Sequence, residues 1–572
     1  MAEKAVSIWV KAEPFSYGTI PVAPHPRLNS TNIRKIVIYS KNKGSTGFPR
    51  LSYSMWQHIA CNKLHLSEDL AWMYFQTCQF FTEHPPAVEC LERDEALAQC
   101  KDQPERSKLL SKESVNLFKF VLYLSMQQLY RMSLRASLVA GDEWPSTSSS
   151  TTTLELDGRS TPRGGTTKSL DDHSHLLFIQ NNIGELTDLI SEEDSKMSGV
   201  GVATSPPKVL TLEAVEALGS VLVGRLENSP SLVPLQDLAC LQTVQHLSGF
   251  NKATKTFSAR QFSVWVKDCL VQNPFNVSSC IASGTRLSWP FVGEDHKSEQ
   301  THKRGKIATN AHQVPKENVK GNKMIIMSQV SKQTIARSSG TLEMSTIKIH
   351  RSHHSFLYLL SPLRSVTIEK CRNTTLILGP VEATVHVSGC ENVTIIAPCR
   401  NFMISGSTLC SLYLLTPNRP LLLSGNDTVM LAPYHTFYAS LEEHMARAGI
   451  GPSPNLWDQP LCIGPDHRDD MPVWHILPEN EFYQFSIPFE MQGDTKAVPS
   501  TVPAYYQKEL SKRQKQIDTW QHMVKDAGLS REQRKEFQAL VETRFHIWLS
   551  ETGHKRELDS LVVPLQPASD RR

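Results

Sequence analysis

The side chains best suited to chemistry in this sequence gather between His350 and Asp427. His350, His353 and His354 invite a metal ion, but no cysteine or acid lies at metal-ligand spacing from them, so they read as solvent-exposed histidines ahead of a repeat. Glu369, Glu382, Glu391 and Asp427 are the acids from Leu363 to Tyr434. Carboxylates gathered on one face can cleave a glycosidic bond or hold calcium, yet the offsets of these four do not stack them, which argues against both. Cys371 and Cys390, 19 residues apart, read as small buried fillers rather than a redox pair. What remains is the run IIAPCRNFMISGS, Ile395 to Ser407, with its single arginine, Arg400.

A repeat carries these residues. SVTIEKC, VHVSGC, FMISGS and LLLSG alternate apolar and polar positions, and their matched residues Val366, Val385, Phe402 and Leu421 are spaced by 19, 17 and 19. A second strand family, TLIL, NVTII, SLYLL and TVMLA, runs between them. Strands returning at such a period, with Gly or Asn at the corners, predict a right-handed parallel β-helix over residues 338–438. Alternation then turns Val387, Ile395, Phe402 and Ile404 inward, and Met403 and Tyr413 outward as a candidate partner-binding surface. Arg400 becomes a corner residue, solvated or paired with a neighbouring acid.

GPVEATVHVSGC, Gly379 to Cys390, and APY, Ala432 to Tyr434, resemble the signature of the cofactor C-like (C-CAP) β-helix domain. WVKAEPF near the start, FSIPFEMQGDT and the helical WQHMVKDAGL extend the likeness to nearly the whole chain, which resembles the tubulin-binding cofactor C domain-containing protein 1 subfamily. In catalytic members of the wider family, the resemblance implies an exposed arginine in a Q-x-R type motif, inserted into a GTPase. A guanidinium supplied in trans neutralises charge on the transferring phosphoryl group and is worth about 10³ to 10⁵ in rate. Aligning the rungs on APC places Asn401 where the motif has its glutamine and Met403 where it has its arginine, a degenerate finger site. Arg400, about 10 Å away along an extended chain, is the candidate relocated finger. The expectation is therefore no enzyme and no cofactor, but a cytoskeletal adaptor. The resemblance implies a place at the centrosome, spindle pole and basal body, and a role in centrosome and Golgi positioning, cell shape and migration. Implied partners are centrosomal or microtubule-associated proteins, with tubulin or an Arf-like GTPase among the candidates. The alternative is a GTPase-activating protein or effector for tubulin or an Arf-like GTPase that uses Arg400.

The remaining sequence frames that domain. A length of 572 residues predicts two or three domains, and 60 basic against 57 acidic residues give no global attraction to nucleic acid or membranes. MAEKAVSIWVKAEPF lacks the apolar core of a signal peptide, and no run of about 18 apolar residues spans a bilayer, so a cytoplasmic protein without membrane insertion is expected. Twelve cysteines without C-x-x-C pairs predict reduced thiols. The class is α+β multidomain. Residues 1–282 read as a mostly α-helical module opening with strand-like VSIWV and KIVIY and interrupted by a Ser/Thr/Gly insertion at about 141–173. Its helices include the stretches from Trp56 to Phe81 and from Thr211 to Leu226, and its dense aromatics, Trp72, Tyr74, Phe75, Phe80 and Phe81, read as core. A capping box is expected at Ser258 and Gln261. Residues 283–337 form a basic linker, with nine Lys/Arg from His296 to Arg337 against Glu299 and Glu317. A connecting segment, 439–477, leads to a helical region, 478–552, where Leu510, Ile517 and Val524 at heptad spacing and a capping box at Ser530 and Gln533 predict an αα-hairpin. A disordered tail is expected over 553–572.

Overall fold

Short apolar strands cannot bury their faces alone, but stacked in parallel they share one core. The computed structural model shows this stack, and it describes residues 6–22, 24–43, 47–100, 102–129, 172–193, 207–287, 306–314, 320–337, 340–464, 467 and 472–552. The chain forms two compact units, one of residues 1–85, 100–276 and 314–322, the other of residues 86–99, 277–313 and 323–572. The expected tail and residues 141–171 of the expected insertion lie outside the described residues, and Asp172 and His173 begin a helix.

The second unit holds a parallel β-helix of two ladders. In one, Met324–Ser328, Thr346–His350, Leu363–Glu369, Val381–Ser388 and the end of Glu391–Ser405 pair in order. In the other, Thr334–Arg337, Phe356–Leu359, Arg372–Leu378, the start of Glu391–Ser405, Ser411–Leu415 and Val429–Pro433 do the same. Ile325, Ile347, Val366, Val385 and Phe402 form one inward column, while Leu376, Ile395, Leu412 and Leu431 form another. Corners use left-handed backbone. Gly406 and Gly425 stack so closely that a Cβ on Gly425 would lie 3.2 Å from the Gly406 Cα, and the Asn392 amide donates to the Asn373 Oδ1 at 2.7 Å.

Several expectations shift here. The β-helix begins inside the predicted basic linker, because MIIMS at Met324–Ser328 buries Ile325 and Met327; its period-2 pattern was masked by the surrounding charge. It also runs past residue 438, since Leu461–Cys462 and Trp474–Ile476 add to the two ladders. Leu421 pairs with Met403 rather than Phe402, so the last matched position is displaced by one. Residues 478–503 contain only a short 3₁₀ turn, Glu479–Glu481; the hairpin proper is Ala504–Asp526 and Arg531–Thr552. Its capping box forms, with Gln533 N donating to Ser530 Oγ at 3.3 Å and Ser530 N to Gln533 Oε1 at 3.0 Å.

The first unit is mainly helical, with helices such as Ser30–Lys43, Glu68–Glu83, Leu117–Met126, Asp172–Ile190 and Ala259–Cys269. Its aromatics are core: Trp56 meets Phe120 at 4.7 Å and Tyr53 meets Phe75 at 5.2 Å between ring centroids. VSIWV is a strand, paired antiparallel with Leu222–Leu226, which sequence periodicity had assigned to a helix. KIVIY is helical instead. Asn29 caps that helix through the Asn32 N–H at 2.9 Å, and Ile33 and Ile36 supply its buried face. Ser258 starts a helix but its side chain makes no capping bond, so the expected box with Gln261 does not form. Among the described residues no helix is long and apolar enough to cross a membrane.

Candidate functional site

The strand Glu391–Ser405 turns the corner between the two ladders at Pro398 to Asn401. At that corner one residue faces two: Val381 pairs with Cys399 and Thr384 with Asn401, so Arg400 stands opposite Glu382 and Ala383. The rung before repeats this bulge, with Arg364 opposite the same two residues. Arg364, Glu382 and Arg400 therefore occupy one corner on three successive rungs, in phase with their 18-residue spacing in sequence.

All three are buried. Arg364 Nη1 lies 2.9 Å from Glu382 Oε2. Arg400, 1% exposed, donates from Nη1 to Asp94 Oδ2 at 3.0 Å and from Nη2 to the carbonyl of Gly449. Asp94, 3% exposed, sits on the helix Ala87–Gln99, which belongs to the β-helix unit although the chain on either side of it does not. Arg93 adds a second cation, 3.4 Å from Asp94 Oδ1. Gly449 ends the helix Leu441–Ala448 at φ +67°, and a Cβ there would meet the Ala87 Cα at 3.0 Å; glycine is needed for both the conformation and the close approach. The corner arginine is thus the paired residue that sequence reading allowed, but its acid comes from 306 positions away.

The neighbours of Arg400 are equally committed. Asn401 donates to the Ala383 carbonyl at 3.2 Å and accepts from Asn418 at 2.8 Å, which ties three rungs together. Met403 keeps its outward parity between His386 and Leu421 but is only 4% exposed. The outer face of that ladder is covered, as the burial of Thr346, Ser365 and Thr384 shows. Tyr413, also outward, is 3% exposed because Phe482 stacks on it at 6.2 Å and Phe485 meets its edge at 4.7 Å. The expected exposed patch of Met403 and Tyr413 is corrected on this point: parity sets which side of a sheet a residue faces, and other segments of the chain then cover that side. We expect Tyr413→Glu to place a carboxylate among aromatic rings and lower the melting temperature by several degrees; an unchanged melt of the full chain would show that the Phe482–Phe485 segment does not hold this face.

The other candidates resolve as structural pairs. Glu369 lies 3.0 Å from Lys348 and Glu391 3.1 Å from Arg372. Burial opposes ionisation of Glu369, but the Lys348 ammonium outweighs it and holds the carboxyl below its ordinary range. His350 is buried rather than solvent-exposed, and burial pushes its pKa down to about 4. Cys371 and Cys390 are buried, and no disulfide forms among the described cysteines.

The family model for Tubulin binding cofactor C matches residues 344–461, from the strand Thr346–His350 to the first residue of Leu461–Cys462. TBCC domain-containing protein 1 of Homo sapiens is 43% identical over 565 residues, 99% of this chain and 98% of its own length. The chain belongs to the TBCC domain-containing protein 1 family. Proteins of the same name from Gallus gallus and Danio rerio are each 42% identical over 98% of this chain. Membership makes this a tubulin cofactor C-like protein, and the identity spans both units rather than the TBCC domain alone. Arg364, Glu382 and Asp94 were missed in the sequence as members of this corner, Glu382 having been weighed only as a catalytic or calcium-binding acid. The first two carried a legible signal, opposite charges in phase with the rung period.

Proposed function

We propose that the chain is a non-catalytic cytoskeletal adaptor acting at the centrosome, spindle poles and basal bodies, in centrosome and Golgi positioning and through them in cell shape and migration. One observation carries the non-catalytic part: the arginine nearest the family's finger position, Arg400, is enclosed and bound to Asp94 and the Gly449 carbonyl. To reach a γ-phosphate it would have to leave Asp94 as a buried anion, at a cost of several kcal/mol. Met403, at the finger position itself, has no charge to offer a phosphoryl group. Membership of a tubulin cofactor C-like family supports the cytoskeletal part, with centrosomal or microtubule-associated proteins, tubulin or an Arf-like GTPase as binding partners.

The purified full-length protein is expected to leave GTP hydrolysis by tubulin and by Arf-like GTPases at its intrinsic rate. Stimulation of either by tenfold or more, in single-turnover assays with the protein in excess, would overturn the non-catalytic reading. Enrichment at the centrosome is read separately, as the centrosome-to-cytoplasm fluorescence ratio of a tagged chain. A ratio near unity removes the address.

A further inference from the structure

The C-terminal hairpin is tied down at its base and largely exposed beyond it. Tyr506 is fully buried and its hydroxyl donates to the Leu477 carbonyl, Leu510 packs on the β-helix core, and Arg513 donates to the carbonyls of Phe482 and Asn480 at 2.8 and 3.0 Å. From Ile517 to Trp548 most large apolar side chains lie exposed, and burial returns at Leu549. Ile517, Trp520, Met523, Leu540, Val541, Phe545, Ile547 and Trp548 are between 39 and 59% exposed. On a helical projection the residues of each arm fall on one broad face, and Trp520 meets Phe537 of the other arm, so the two stripes adjoin.

We propose that this stripe is a self-association surface, and that its occupant is the same hairpin of a second copy of this chain. The area argues for it. At their fractional exposures these eight side chains present on the order of 800 Å² of apolar surface, which is roughly what one partner contributes to a standard interface. The largest apolar patch on a typical monomer is about 300–600 Å². Charge argues for it too. The two helices carry nine Lys/Arg and seven Asp/Glu, so identical copies meet without like-charge repulsion, whereas a strongly acidic partner would gain little. Leu510, Ile517 and Val524 keep a seven-residue spacing, the register in which helices pack side by side in a bundle. Two hairpins related by a two-fold axis close such a surface into a four-helix bundle and leave none of it over.

The test is the mass of the full-length chain by light scattering across the micromolar range, alongside its helix content. The wild type is expected at twice the chain mass. Trp520→Glu/Phe545→Glu should weaken the dimer roughly 100-fold or more and run as a single chain with helix content unchanged. Met523→Gln/Leu540→Gln, a gentler change at exposed positions, should shift the dissociation constant in the same direction. A wild type of single-chain mass overturns the proposal, and if that monomer floats with anionic vesicles the stripe is a membrane surface instead. A dimer that persists in both variants also overturns it, because the contact then lies elsewhere.

Discussion

Asp94→Ala is expected to destabilise the full chain by roughly 3–5 kcal/mol, more than Arg400→Ala. Removing the carboxylate takes the counter-ion at 3.0 Å away from a guanidinium buried in the corner, whereas removing the guanidinium leaves Asp94 with Arg93 beside it. The pair is a structural clasp, and its value lies in mutual compensation rather than in net attraction, because both ions have given up water to reach the corner. Arg400→Met with Asp94→Leu should therefore recover most of the loss, since two apolar side chains of similar size need no counter-ion. Denaturant unfolding of the four proteins forms a double-mutant cycle. A coupling energy near zero would show that the two residues do not depend on each other, and the clasp would be discarded.

The second large effect belongs to the rungs. Val387→Asp places a carboxylate at a position with no exposure, between Ile368 and Ile404 on the adjacent strands, and is expected to prevent the β-helix from folding. Thr394→Asp, one residue before the inward Ile395 and half-buried on the outer side, should cost little. Thermal melts and the yield of soluble protein read the contrast. Equal tolerance of both changes would falsify the register in which odd and even positions alternate between core and exterior.

How far the sequence reached depended on whether a feature was local. The rung period, the inward columns and the hairpin all rest on spacing within a few tens of residues, and Val366, Val385 and Phe402 pair as their spacing predicts. The Arg364–Glu382 pair was equally accessible through its phase, but charges were weighed as catalytic candidates and not as partners of one another. Two kinds of error have physical causes. KIVIY and VLVGRL are short β-branched or apolar runs whose local preference is weak, so a cap at Asn29 and the pairing with Val6–Val10 decided their state. The burial of Tyr413 depended on Phe482 and Phe485 about 70 positions on, and the seat of Asp94 on a contact across 306 positions. Alternation reports parity. It carries no information about what later covers a face.

The helix Ala87–Gln99 has a further consequence, for the order of events during synthesis. A ribosome adding about 5–20 residues per second makes Asp94 some 15 to 60 seconds before Arg400. For that interval the helix has no corner to enter, and its future buried face, Cys90 and Asp94, has nothing to close on. Whatever unit the N-terminal residues build meanwhile must leave this segment looped out, between Pro85 and Cys100, until the rungs are complete. The β-helix unit is therefore the last part of the molecule to finish although it contains some of the first residues made, and a nascent chain arrested before residue 400 should expose 86–99 to protease while the flanking segments are already protected.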